Sequence, residues 1–231
     1  MKILITGANR GLGLQLAKVG LQNGHDVFAG VRDMNTSNMQ ELTELKERYG
    51  NQLAIIHLDV TCEQSVQAAT SKLNGSLDVI INNAAILNER EKTIEDLDLD
   101  ACQLAFDINT FGPIRVIKHF LPLLKHGESR SIINISSEAG SLTNAYSGDY
   151  PYGMSKAALN MLSEKLHVTL KDEDIQVLSV HPGWMHTDMG GEQAPTDPAD
   201  TAERIYRLID REVQIESEFV FIDYQGKPMS I

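Results

Sequence analysis

A chain of 231 residues, 42% hydrophobic and 23% charged, is long enough to bury one substantial core, and it contains no uncharged apolar window long enough to suggest a membrane span. Its formal charge of -12, with no sustained basic run, opposes binding to nucleic-acid phosphates and makes a small molecule the expected partner. Cys62 and Cys102 form neither a disulfide framework nor a metal pattern, and the seven histidines show no HExxH spacing, so reduced thiols and no structural metal are expected.

Met1 leads directly into Lys2-Ile3-Leu4-Ile5, which predicts a fold that starts at once, without a cleavable signal segment, in a cytoplasmic protein. Strand-like runs at 2–6, 26–31, 53–58, 77–82, 131–136, 175–181 and 218–222 alternate with longer amphipathic segments. Val79-Ile80-Ile81 and Ile132-Ile133-Asn134-Ile135 lack clean polar alternation, as expected of strands covered on both faces. The pattern predicts one α/β domain over residues 1–231, a doubly wound parallel sheet of about seven strands with helices on both sides.

The first strand runs into Thr6-Gly7-Ala8-Asn9-Arg10-Gly11-Leu12-Gly13, and Leu14 to Leu21 read as helix. Glycines there let the backbone turn tightly and approach a pyrophosphate, while the helix start offers free N–H groups and the positive end of its dipole. Such a turn can be only a turn, but a strand before it and a helix after it make nucleotide binding the favoured reading. Further along, Asp107-Ile108-Asn109-Thr110-Phe111-Gly112-Pro113 must fit a glycine and a proline into a helix, and Asn109 can bond backbone at that irregularity. Leu104, Phe106, Ile108, Phe111 and Ile114 are expected in the core.

Tyr152 and Lys156 stand four apart in a predicted helix, on one face. A phenol with a reference pKa of roughly 10 is a poor acid-base group at neutral pH, and a neighbouring ammonium favours its ionised form. Alone, such a pair also describes a solvated helix face. Of the six tyrosines, only Tyr152 has a lysine at that offset. Residues 186–200, rich in glycine, proline and polar groups, predict a mobile loop.

Taken together, these residues resemble the short-chain dehydrogenase/reductase family. Thr6, Gly7, Gly11 and Gly13 match its TGxxxGxG turn; Asn82-Asn83-Ala84-Ala85 stands where NNAG is usual; Asn109, Ser136-Ser137-Glu138-Ala139-Gly140, Tyr152-Gly153-Met154-Ser155-Lys156 and Pro182-Gly183 with Thr187 follow in family order across nearly the whole chain. The resemblance implies a Rossmann fold and hydride transfer between a nicotinamide and a carbonyl or alcohol. Tyr152 would be the general acid-base, and Lys156 would lower its pKa and hold the nicotinamide ribose. Ser137 would bind the substrate oxygen, and Asn109 would hold a relay water. The dinucleotide would lie along Gly7, Asn9, Arg10, Gly11, Leu12, Gly13, Arg32, Asp59, Val60, Asn83, Ala84, Tyr152, Lys156, Pro182, Gly183 and Thr187.

An acid at the end of the second strand would select NAD, whereas an arginine accommodates the 2'-phosphate of NADP. Arg32 holds that end and Arg10 lies in the glycine loop, so NADP(H) is expected, with pairing of Asp33 to Arg32 as the other reading. Asp59 beside Thr61 could instead cap a helix, and Ser136 reads as a strand-end residue bonding locally to backbone. Thr187-Asp188-Met189-Gly190-Gly191 and Phe219 to Pro228 resemble the family's small C-factor and sniffer branch, which holds carbonyl reductases and a developmental signal. The expected activity is therefore NADPH-dependent reduction of a small or medium carbonyl compound, the alternative being an NADP(H)-binding sensor. Apolar positions between Met154 and Leu170 leave room for a homodimer.

Overall fold

Each apolar run forms a strand in the computed structural model, which describes residues 1–73 and 75–231: β1 (Lys2–Thr6), β2 (Asp26–Val31), β3 (Leu53–His57), β4 (Val79–Asn82), β5 (Ser131–Ile135), β6 (Gln176–His181) and β7 (Phe221–Asp223). They make one parallel sheet in the order β3-β2-β1-β4-β5-β6-β7. Two ends differ from expectation by more than one residue. Leu77, expected in the fourth strand, is fully buried, but its N–H bonds the Leu123 carbonyl, so ladder pairing waits until Val79. The last strand begins at Phe221 rather than 218, because Val220 N–H is taken by the Glu164 carboxylate.

Among the described residues seven α-helices cover the sheet: α1 (Gly11–Gln22), α2 (Gln40–Tyr49), α3 (Glu63–Thr70), α4 (Leu99–Phe106), α5 (Gly112–Leu124), α6 (Tyr150–Leu170) and α7 (Pro198–Ile209). Successive strand residues point to opposite faces. Ile3 and Ile5 therefore pack on the α1, α2 and α7 side with Leu16, Leu42 and Ile205, while Leu4, Ile80 and Ile132 pack with Val66, Phe120 and Leu124 of α3 and α5. Both faces are covered, which is why the strands read as continuous apolar runs. Each fully buried aliphatic side chain contributes on the order of 1.5–3 kcal/mol.

Strand order reverses between β1 and β4, so the carboxyl ends of β1, β2, β4, β5 and β6 frame a crevice at the switch point. Between α4 and α5 the chain winds one π turn, Asp107–Phe111, directly before Pro113, whose missing N–H could not have continued the α ladder. The expected core stripe fails here: Ile108 is buried and Phe106 half-buried, but Leu104, Phe111 and Ile114 are exposed. The inward positions are occupied by Ala105, Asn109 and Gly112, small or polar groups that let this helix run close to its neighbours. Met154, Met161 and Val168 of α6 are exposed as well. Among the described residues no helix is long and apolar enough to cross a membrane.

Candidate active site

The loop after β1 is shaped by backbone. Gly7 has φ +66°, in the left-handed region, and a Cβ at Gly13 would run into the Gly7 carbonyl oxygen and stand 2.6 Å from Asn83 Nδ2. Only glycine at 13 lets α1 start this close beneath the turn. Thr6 fastens the loop to the next strand: its hydroxyl accepts the N–H groups of Asn83 and Ala84, each at 3.0 Å, while Asn83 Nδ2 donates to the Thr6 and Gly7 carbonyls. This double acceptance gives the threonine of the glycine motif its role. The first N–H groups of α1 have no side-chain cap, and no acid stands in its first turn. That leaves donors and a positive dipole end for an anion, so the structure fits the pyrophosphate of a dinucleotide.

These residues line a cleft of about 400 Å³, within the range of small-molecule sites. Gly7, Asn9, Arg10, Gly11, Leu12, Arg32, Asp59, Val60, Asn83, Ala84, Tyr152, Lys156, Pro182 and Thr187 all reach it. Of the other expected residues, Gly13 lies under the loop, Gly183 turns behind it at φ +81°, and Asn109 and Ser137 sit behind or beside the wall. Sequence reasoning missed Thr36 and Asn38, beyond Arg32; Met189, inside the expected mobile loop, and Met185, just before it, line the cleft as well. Asp33 does not pair with Arg32; its carboxylate accepts the Asn35 N–H at 2.9 Å in a local turn. Asp59 likewise accepts both the N–H and hydroxyl of Thr61, whereas α3 is capped at Cys62 with no side-chain bond.

At the opposite end of the cleft the surface is built from side chains. Lys156 is buried, its Nζ donating to the Ile135 carbonyl at 2.7 Å and lying 5.5 Å from the centre of the Tyr152 ring. Burial pulls its pKa down to about 7. For Tyr152 the structure reverses the expected direction: burial pushes the phenol above its ordinary value, the facing Ser137 hydroxyl opposes that, and Asp149 adds to it. Among these influences on the phenol, desolvation is the largest.

Ser137 begins a short helical turn at 138–140, its hydroxyl accepting the Ala139 N–H at 3.2 Å. His181 Nδ1 accepts the Glu138 N–H at 3.2 Å, which requires that nitrogen unprotonated, and burial lowers the His181 pKa accordingly. Gly140 lets this loop touch α6, since a Cβ there would stand 2.7 Å from the Lys156 carbonyl carbon. Ser136 differs from expectation: its hydroxyl donates at 2.6 Å to the side chain of Asn160, not to backbone. Asn109 uses both ends of its amide, accepting from Ile86 N–H and donating to the Ile86 carbonyl and Ser155 hydroxyl. Ser155 in turn donates to the Tyr152 carbonyl, so Asn109 ties the loop after β4 to the first turns of α6.

Residues 182–197, which include most of the expected mobile loop, fold back over the cleft. Met185 pairs with Thr196, Trp184 Nε1 donates to the Gly190 carbonyl, Arg10 meets Asp188 at 3.3 Å, and Arg90 donates to the Met189 carbonyl. The Arg10–Asp188 pair is well exposed, so it contributes little stability.

A family model described as short chain dehydrogenase matches residues 1–198. C-signal of Myxococcus xanthus is 38% identical over 159 residues, 68% of this chain and 95% of that protein. The solved structure of an NADPH-bound carbonyl reductase from chicken fatty liver superposes with a TM-score of 0.88 at 32% identity, covering 100% of this chain and 98% of that one. Carbonyl reductase Sniffer of D. melanogaster superposes with a TM-score of 0.89 at 30% identity, covering 100% and 99%.

Proposed function

The chain belongs to the short-chain dehydrogenase family, and from that premise we propose that it is an NADPH-dependent reductase of small or medium, fairly apolar ketones, aldehydes or quinones. One observation carries this reading: a single cleft runs from Arg10 and Arg32 to Tyr152 and Lys156. In it the free N–H groups at the start of α1 would hold the pyrophosphate, and the two arginines the 2'-phosphate. Asp59 and Val60 would flank the adenine, and Asn83, Ala84, Pro182, Gly183 and Thr187 the nicotinamide side. Bound there, NADPH supplies the hydride.

The remaining work falls to the chain. Ser137 orients the carbonyl oxygen, and the Tyr152 hydroxyl gives that oxygen its proton as the carbon is reduced. Reduction needs Tyr152 protonated, and burial, which pushes the phenol upward, favours that form. Lys156, with its pKa near neutrality, is suited to return the proton to Tyr152. A relay water at Asn109 would bind its backbone, because its side-chain amide is engaged by Ile86 and Ser155.

NADPH oxidation followed by absorbance across a carbonyl panel tests the proposal: turnover with any member supports it. The likeness to C-signal supports a second reading, in which NADP(H) binding itself is the output. Tight NADPH binding without turnover on the whole panel would favour it. We also propose a homodimer through the outer face of α4 to α6, where Leu104, Phe111, Met154, Met161 and Val168 are exposed. A monomer mass in sedimentation at micromolar concentration would contradict that assembly.

A further inference from the structure

Asn160 stands four residues after Lys156 on α6, on the same face, and is buried. Its Oδ1 accepts two hydrogen bonds of 2.6 Å, one from the Ser136 hydroxyl and one from the Ser179 hydroxyl of β6, and its Nδ2 donates to the Gly140 carbonyl at 3.4 Å. Both lone-pair directions of the carboxamide oxygen are thus filled. Ser136 and Gly140 enclose the Ser137 loop on either side, so one side chain clamps both ends of the segment that carries Ser137 to the crevice of Tyr152 and Lys156. No other side chain joins both ends of that loop among the described residues; the Ser137 hydroxyl accepts forward from Ala139 and faces the Tyr152 phenol, and His181 reaches only Glu138.

We propose that Asn160 is a positioning residue that holds Ser137 in register with the substrate oxygen, an inference that rests on the carbonyl-reductase reading above. Asn160 touches neither substrate nor cofactor; it acts through the loop. Misplacing a reacting group by about 1 Å costs on the order of 10²-fold in rate, so slackening this clamp lowers kcat while leaving the glycine loop and Arg32, on distant strands, to bind NADPH as before.

The test is a double-mutant cycle on kcat with NADPH affinity and Tm recorded for each protein: wild type, Ser137→Ala, Asn160→Ala and the double variant. Asn160→Ala is expected to lower kcat about tenfold or more alone and less than about twofold in the Ser137→Ala background, with NADPH affinity unchanged. Equal losses in the two backgrounds would overturn the inference, since a merely structural residue acts independently of Ser137. Should Asn160→Ala fail to fold, the clamp is cut one arm at a time. Ser179→Ala removes only the β6 arm and is expected to lower Tm with kcat held within about twofold, while Ser136→Ala removes a loop arm and is expected to lower kcat about tenfold. Equal effects of those two on kcat would overturn it as well. Wild-type protein that reduces no carbonyl would remove the functional reading and this one together; wild-type turnover that depends on Ser137 but shows additive losses with Asn160 would remove this one alone.

Discussion

At the β1 end of the cleft the surface is backbone: left-handed Gly7, a Gly13 with no room for a Cβ, and uncapped N–H groups at the start of α1. At the β5–β6 end it is side chain upon side chain, with Lys156 on a carbonyl, Ser136 and Ser179 on Asn160, and Asn109 on Ser155. The first end is open and lined by exposed arginines, whereas the second buries a lysine and half-buries a phenol. One end can therefore bind an anion without reorganising, and the other can hold titratable groups at pKa values water would not permit. Binding and proton transfer should be separable by mutation.

The largest separation is expected from Tyr152→Phe, which removes the phenolic hydroxyl and keeps the ring. It should lower kcat by about 10²–10⁴-fold while calorimetry shows NADPH binding as in the wild type. Unchanged turnover would break the assignment of the acid. Gly13→Ala attacks the other end: the added methyl meets the Gly7 carbonyl, an overpacking worth about 1–3 kcal/mol, so NADPH affinity should fall about tenfold. Full affinity in that variant would mean that the backbone cradle does not hold the cofactor.

Arg32→Asp places an acid just after β2 and should erode the preference for NADPH over NADH by roughly tenfold, the order of one charge-assisted hydrogen bond. A preference left intact would leave Arg10 as the sole reader of the 2'-phosphate. The smallest effect concerns stability. Folded Lys156 titrates at about 7, below its unfolded value of about 10.4, so between those values the folded chain binds fewer protons and gains stability as pH rises. Urea unfolding should show wild type gaining on Lys156→Met by about 1 kcal/mol from pH 7 to pH 8. A parallel pH profile for the two would mean that Lys156 is better solvated than its buried position implies.

The same contrast decides what the sequence could reveal. The glycine loop was legible because a tight turn under a helix start restricts residue type at fixed spacing, and the sheet was legible because two-sided burial leaves uninterrupted apolar runs. Tyr152 and Lys156 were legible as a pair, but the direction of the phenol shift was not: it depends on burial assembled from β5, α6 and the loop between them. Ser136 lies 24 residues from its partner Asn160, and Arg10 lies 178 from Asp188, separations at which no local pattern speaks. Leu104, Phe111 and Ile114 looked like core because hydrophobicity marks burial in general. Here the inward face of the π-interrupted helix is given to Ala105, Asn109 and Gly112, and the apolar residues turn outward.

The central claim is that this cleft delivers hydride to a carbonyl while Tyr152 delivers the proton, and isotope transfer tests it most directly. NADPH carrying deuterium at the transferable C4 position is incubated with the protein and a carbonyl substrate, and the alcohol is read by mass spectrometry. Deuterium on the carbinol carbon with wild type, and its loss by 10²-fold or more with Tyr152→Phe at equal NADPH occupancy, is the predicted result. Deuterium that stays on tightly bound cofactor in the wild type, or reaches the alcohol equally fast in both proteins, would contradict it.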